Sequence, residues 1–269
     1  MDSELKLKQD IIEVGRRIYN RGFVAANDGN ITIRIGEDEV LTTPTGVSKG
    51  FLTPEMLITV DMDGRVKSGT MRPSSELKMH LQVYREREDV RSVVHAHPPH
   101  ATAFAVAGIP LKTPIMPEVV ISLGWVPLAQ YGTPSTEEIP ESIRPYLQCH
   151  DAFLLENHGA LTVGTDVYNA YFKMETLDLG AQISLLARQL GQEKPISREN
   201  VAKLLEIRKK LGVVGKHPAN CAGVEEYLDQ CFEEEDLPSP QGLAQIDAGT
   251  LAEIVTEVTK RVLAELRDK

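Results

Sequence analysis

Ser92-Val93-Val94-His95-Ala96-His97-Pro98-Pro99-His100 is the stretch on which the fold turns. If residues 92–95 form a buried strand, side chains alternate between faces, and His95 and His97 point the same way. Pro98 stops the strand at once, which leaves both rings at its C-terminal edge. Two imidazoles converging from one strand end make half of a tetrahedral zinc site. The same pair also reads as polar loop residues or as a hydrogen-bonded core histidine. The other ligands must therefore come from elsewhere, and with no Cys-x-x-Cys in the chain they must be histidines and carboxylates. His100 lies past two prolines at a helix start, where a structural role is expected.

The 269 residues suffice for one large domain, or one domain with an appendage. Charged residues at 25% and apolar residues at 42% are ordinary for a globular protein. A net charge of −10 argues against nucleic-acid binding, which needs Lys and Arg on phosphates. It does not exclude a phosphorylated small molecule, because local backbone N–H groups can hold phosphate. No apolar run approaches the roughly 20 residues of a membrane helix. Met1-Asp2-Ser3-Glu4 lacks the basic start of a signal peptide. Cys149, Cys221 and Cys231 are few, odd in number and widely spaced, so no disulfide framework is expected and a reducing cytoplasm fits.

Outward from the histidine pair, an amphipathic helix is expected over residues 4–21, followed by the turn Asn27-Asp28-Gly29-Asn30. Residues 31–35 alternate as a strand, and Val40-Leu41 pairs with it as a hairpin. The hydroxyl-rich loop Thr42-Thr43-Pro44-Thr45-Gly46 offers O–H and N–H donors suited to an anion, though a surface turn reads as well. Two short strands follow at 57–61 and 65–67. Ser74-Ser75-Glu76 opens a helix running to about Glu88, and there the serines can cap the helix or hold an anion. Glu76 can complement the helix dipole or act as a catalytic carboxylate. Glu118 sits among apolar residues, expected on a strand's exposed face or in a site. A short strand is expected over 126–128, a helix over 135–147 and a buried strand over 152–155. The last ends in Glu156-Asn157-His158-Gly159, where His158 has the chemistry of a third ligand. Helices are expected over 166–190 and 197–211.

Beyond Gly212 the composition changes, and residues 213–249 read as a linker containing Pro238-Ser239-Pro240. From Thr250 to Leu266 an amphipathic helix carries one stripe, with Leu251, Ile254, Val255, Val258, Val262 and Leu266. About 18 residues cannot build a core alone, so the stripe needs a surface.

In their order and contents, Asp28-Gly29-Asn30, Thr43-Pro44-Thr45-Gly46, Ser74-Ser75-Glu76, His95-x-His97 and His158-Gly159 together resemble the class II aldolase/epimerase superfamily, over about residues 4–212. The resemblance implies a three-layer α/β fold, with a central, mainly antiparallel sheet flanked by helices. It implies a Zn2+ ion per subunit on His95, His97 and His158. Glu76 would also reach the metal in the free enzyme and act as base once substrate displaces it. Asn30, Thr45, Gly46, Ser74 and Ser75 would bind a substrate phosphate. The superfamily's members are usually homotetramers with sites at subunit interfaces.

The pattern is most similar to the branch that cleaves ketose 1-phosphates such as L-fuculose 1-phosphate and L-rhamnulose 1-phosphate to dihydroxyacetone phosphate and L-lactaldehyde. Two departures stand out. The first loop has Asp28 where that branch has serine. No tyrosine occurs around Pro114, where the aldolases place a proton donor, while Glu118 lies where dehydratase relatives place an acid/base glutamate. Ribulose-5-phosphate 4-epimerase remains open, although Ser-Ser-Asp is usual there. A sugar-phosphate dehydratase and a non-enzymatic module like the adducin head also remain open. Domain 1–212 would carry the chemistry. The 250–269 extension resembles the encapsulation peptides that bind shell proteins of bacterial microcompartments.

Overall fold

The strand pattern around His95 builds the centre of a sheet. In the computed structural model, which describes residues 3–232, β5 (Ser92–Ala96) is buried along its whole length. It lies between β1 (Asn30–Gly36) and β8 (Gly159–Gly164), antiparallel to both. From β1 the sheet extends through β2 (Glu39–Thr42), β3 (Ile58–Val60) and β4 (Val66–Ser68). From β8 it extends through β7 (Ala152–Leu155) to β6 (Leu128–Ala129). All neighbours are antiparallel except β6 and β7.

Alternation along these strands feeds two cores. On one face Ile31, Ile33, Leu41, Val94 and Leu154 pack under α1 (Glu4–Asn20), α3 (Pro99–Val106) and α6 (Val167–Gln189). On the other, Val40, Val93, Phe153, Leu161 and Val163 pack under α2 (Leu77–Glu86) and α5 (Glu138–Ile143). The expected three-layer α/β architecture with a mainly antiparallel sheet is what the chain adopts. His95 shares the side of Val93, so its ring faces the α2 layer.

Three expectations need correction. Residues 213–232 are not a linker. After α7 (Arg198–Leu211), the segments α8 (Pro218–Ala222) and α9 (Val224–Phe232) bury Ala219, Tyr227, Leu228 and Cys231 against Val201 and Leu205. Helices this short carry too little periodicity to stand out from mixed sequence. Residues 233–249 and the 250–266 helix lie outside the described residues. Glu118 is not on a strand: Pro117 opens a short helix, α4 (Pro117–Ser122), and Glu118 is exposed in its first turn. The third correction concerns the cysteines. Cys149 and Cys221 are joined in a disulfide across 72 residues of sequence, with Cα atoms 5.7 Å apart. Linear spacing hid the pair because α8 folds back beside the segment before β7. Cysteine usage therefore no longer supports a reducing compartment. No helix among the described residues is long and apolar enough to cross a membrane.

The α7–α9 unit is joined to α4 by His217. Its Nε2–H donates to the Val120 carbonyl (2.8 Å), and its Nδ1 accepts from Ala219 N–H (3.2 Å), capping α8. The Nδ1 contact requires the neutral ring, and burial lowers its pKa from 6.5 to about 4. The unfolded chain therefore binds this proton more readily than the folded one below pH 6.5. Stability should fall as pH drops from about 6.5 toward 4. Urea titrations across that window check this, and His217→Asn should reduce the dependence, to which buried His80, His95 and His150 contribute in the same sense. Closing so long a loop constrains the unfolded chain, so Cys221→Ser should cost about 2–4 kcal/mol. An unchanged melting temperature with and without dithiothreitol would show that the bridge contributes nothing.

Candidate active site

Register delivers the site. Asn30 at the start of β1 pairs with His95 at the end of β5, and His95 pairs in turn with Leu161 of β8. The tight β7–β8 turn, with Asn157 at φ 53°, carries His158 to the same edge. Gly159 leaves the space the rings need. A Cβ there would lie 2.5 Å from His97 Cδ2 and 2.6 Å from the Ala96 carbonyl oxygen. Gly29 (φ +73°) lets the first loop pass similarly close to the His95 carbonyl.

His95, His97 and His158 converge, each offering one nitrogen, and the three nitrogens lie within 4.8 Å of one another. His95 Nδ1–H donates to the Ala160 carbonyl (2.9 Å), which fixes the proton there and leaves Nε2 as a lone pair. His95 Nε2 and His97 Nε2 are 3.2 Å apart. Two nitrogens bound to one tetrahedral zinc ion at ~2.05 Å stand roughly 3.3 Å from each other. The donor set and its spacing thus fit a divalent metal. Burial pushes the His95 pKa down to about 3 and, with His158 beside it, lowers that of His97 as well. The neutral rings that ligation needs are the favoured forms.

Glu76 stands over this triad as the residue before α2. Its Oε1 is 2.9 Å from His158 Nε2 and its Oε2 is 3.4 Å from His95 Nε2. Asn30 Nδ2–H donates to Oε2 (2.9 Å) and also reaches Ser74 Oγ (3.2 Å). Burial works against the Glu76 carboxylate, but the His95 and His158 imidazoles and the Asn30 amide outweigh it. They hold its pKa below the usual carboxylate range. A carboxylate that is ionised, oriented and adjacent to a metal-competent triad can move protons.

The proposed phosphate residues come together on two joined loops. Pro44 bridges Pro73, and Thr45 N–H donates to the Arg72 carbonyl (2.9 Å). This sets exposed Thr45 and Gly46 beside Ser74 and exposed Ser75. Glu118 is not part of the cluster, and among the described residues it has no contact with the triad or Glu76. His100 is structural, with Nδ1 3.1 Å from Asp178 Oδ2.

Sequence reading missed His80, one turn beyond Glu76 on α2. It is fully buried, with Nδ1 2.9 Å from Thr32 Oγ1, which also meets Tyr84 OH at 2.7 Å. This post locks α2 to β1, and so Glu76 to Asn30. The i, i+4 spacing of Glu76, His80 and Tyr84 was the available signal.

The chain belongs to the class II aldolase and adducin N-terminal domain family, whose model matches residues 9–185. It is 34% identical over 181 residues to an L-fuculose phosphate aldolase of Methanococcus maripaludis, covering 67% of this chain and 97% of that one. It is 31% identical over 212 residues to a 3-oxo-tetronate 4-phosphate decarboxylase of Haemophilus influenzae, covering 77% of this chain and all of the relative. A solved L-fuculose 1-phosphate aldolase superposes with a TM-score of 0.71 at 26% identity, covering 77% of this chain and 100% of that one.

Gly159→Ala must displace both the His97 ring and the Ala96 carbonyl, and should weaken zinc binding by roughly 10- to 100-fold. Zinc titration against a chromophoric chelator measures it. Unchanged affinity would mean that His97 is not a ligand.

Proposed function

We propose that the chain is a zinc-dependent lyase that reversibly cleaves a ketose 1-phosphate, L-fuculose 1-phosphate or L-rhamnulose 1-phosphate, to dihydroxyacetone phosphate and L-lactaldehyde. The observation that carries this reading is the convergence of three imidazoles with one hydrogen-bonded carboxylate against them. His95, His97 and His158 would hold the ion, with Glu76 as a further ligand until substrate arrives. Bound there, zinc supplies Lewis-acid stabilisation of the negative charge that develops on the substrate oxygens as the bond breaks.

The chain's own residues do the rest. Asn30, Thr45, Gly46, Ser74 and Ser75 hold the phosphate and so fix the C3–C4 bond over the triad. When that bond breaks, the C4 hydroxyl gives up its proton to solvent water and C4 leaves as the aldehyde. Glu76 moves the proton that C3 needs to become the hydroxymethyl carbon of dihydroxyacetone phosphate. Asn30 keeps the carboxylate aimed at that carbon.

A second reading is a decarboxylase of a 3-oxo acid phosphate, and a specific observation favours it. Around Pro114 there is no tyrosine to handle the aldehyde oxygen. Loss of carbon dioxide from a 3-oxo carboxylate has no hydroxyl proton to remove, yet it leaves a carbanion that Glu76 can protonate in the same way. The similarity to the Haemophilus decarboxylase is consistent with it. Coupled detection of dihydroxyacetone phosphate over a panel of ketose 1-phosphates and 3-oxo-tetronate 4-phosphate, with carbon dioxide measured in parallel, separates the two.

We further place the chain as a homotetramer in the cytoplasm, with its 250–269 segment binding a microcompartment shell protein that confines the reactive aldehyde. Deleting residues 240–269 should leave turnover unchanged and abolish co-purification with shell proteins. Loss of turnover would make the segment part of the catalytic fold. Glu76→Gln should retain zinc and lose about 10²- to 10⁴-fold in kcat. Near-normal turnover would remove Glu76 from the proton transfer.

A further inference from the structure

Lys49 opens a single 3₁₀ turn, Lys49–Phe51, directly after the Thr45-Gly46 loop. In sequence it reads as a surface lysine between Ser48 and Gly50. In the structure it is 1% exposed, among the largest fully buried side chains. Its Nζ donates to the Asn27 carbonyl (2.9 Å) and to the Val47 carbonyl (2.6 Å). Asn27 belongs to the loop that leads into Asn30, and Val47 follows Gly46. One ammonium therefore joins the two segments that carry three of the proposed phosphate ligands. Helix α1 holds it from behind, where a Cβ on Gly15 would come within 2.7 Å of the Lys49 carbonyl oxygen.

No ion pair to Lys49 exists among the described residues, although Asp28 and Glu76 lie near enough for their charges to be felt. A buried ammonium satisfied only by carbonyl dipoles is disfavoured unless a counter-charge arrives. Burial lowers its pKa to about 8, so the charged form still dominates near neutrality.

We propose that Lys49 is the positioning residue of the anion site: it ties the Asn27–Asn30 and Thr45–Val47 loops into one surface, and its ammonium, in no direct ion pair with a carboxylate, favours a bound phosphate dianion. This rests on the reading that these loops hold the phosphate. It goes beyond that reading by assigning affinity and selectivity for a dianion to a residue that never touches it.

The test is inorganic phosphate binding to the zinc-loaded full chain by calorimetry, in the parent, Lys49→Gln and Lys49→Met. Glutamine keeps a neutral N–H donor, one atom shorter than lysine, and methionine keeps neither donor nor charge. Phosphate affinity should fall at least tenfold in both variants, with zinc content and far-UV circular dichroism unchanged in Lys49→Gln. With a turned-over phosphorylated substrate, KM should rise more than kcat falls. A folded, zinc-loaded Lys49→Gln that binds phosphate like the parent overturns the proposal, and so does a parent that binds no phosphate. Should both variants fail to fold, the Lys49 ammonium resonance of the parent decides: a saturable shift on phosphate titration supports the proposal, and no shift overturns it. Because phosphate binding needs no turnover, Lys49-dependent binding in a chain that cleaves no ketose phosphate would sink the aldolase reading alone.

Discussion

The register of β5 between β1 and β8 is the constraint on which everything else depends. It sets Asn30 opposite His95 and brings His158 round to the same edge. Because side chains alternate, a one-residue slip of β5 would send His95 and His97 into the face occupied by α1, α3 and α6. The register is held from both sides: Val94 is buried under those helices and Val93 under α2 and α5. The stability of the two cores and the geometry of the site are therefore one property. A change that loosens the core at β5 would also misplace the histidines.

The second layer of control runs through α2. Glu76 is useful only if its carboxylate meets the rings, and α2 is locked to β1 by the Thr32, His80 and Tyr84 hydrogen bonds. Asn30 then contributes twice, once as a strand residue paired to His95 and once as the donor that orients Glu76. Rigid elements thus fix the Glu76 carboxylate and the metal-competent triad, while loops carry the proposed anion donors. This division suits chemistry in which one end of the substrate is clamped and a bond at a fixed distance is broken.

Much of this was legible in the chain. Residues 31–35 and 92–95 declare themselves as strands through alternation and apolar content, and the His-x-His pair before a double proline marks a strand edge. Glu76 and His158 took meaning only in combination, since each has a commoner structural role. What stayed hidden depends on tertiary placement. Lys49 looks like a surface residue because nothing local says that α1 will cover it. The Cys149–Cys221 bridge spans 72 residues and needs the path of α8 to be known. The segments α8 and α9 are too short for periodicity to show, and the apolar residues around Glu118 suit a strand as well as the short helix that Pro117 opens.

Three histidines and one glutamate are proposed here to form a catalytic metal centre. Anomalous diffraction at the zinc absorption edge, from crystals of the full chain purified with zinc, tests it most directly. One strong peak per chain is expected, about 2.0–2.1 Å from a nitrogen of each of His95, His97 and His158. A triad without a peak, or a peak held by other residues, would contradict it.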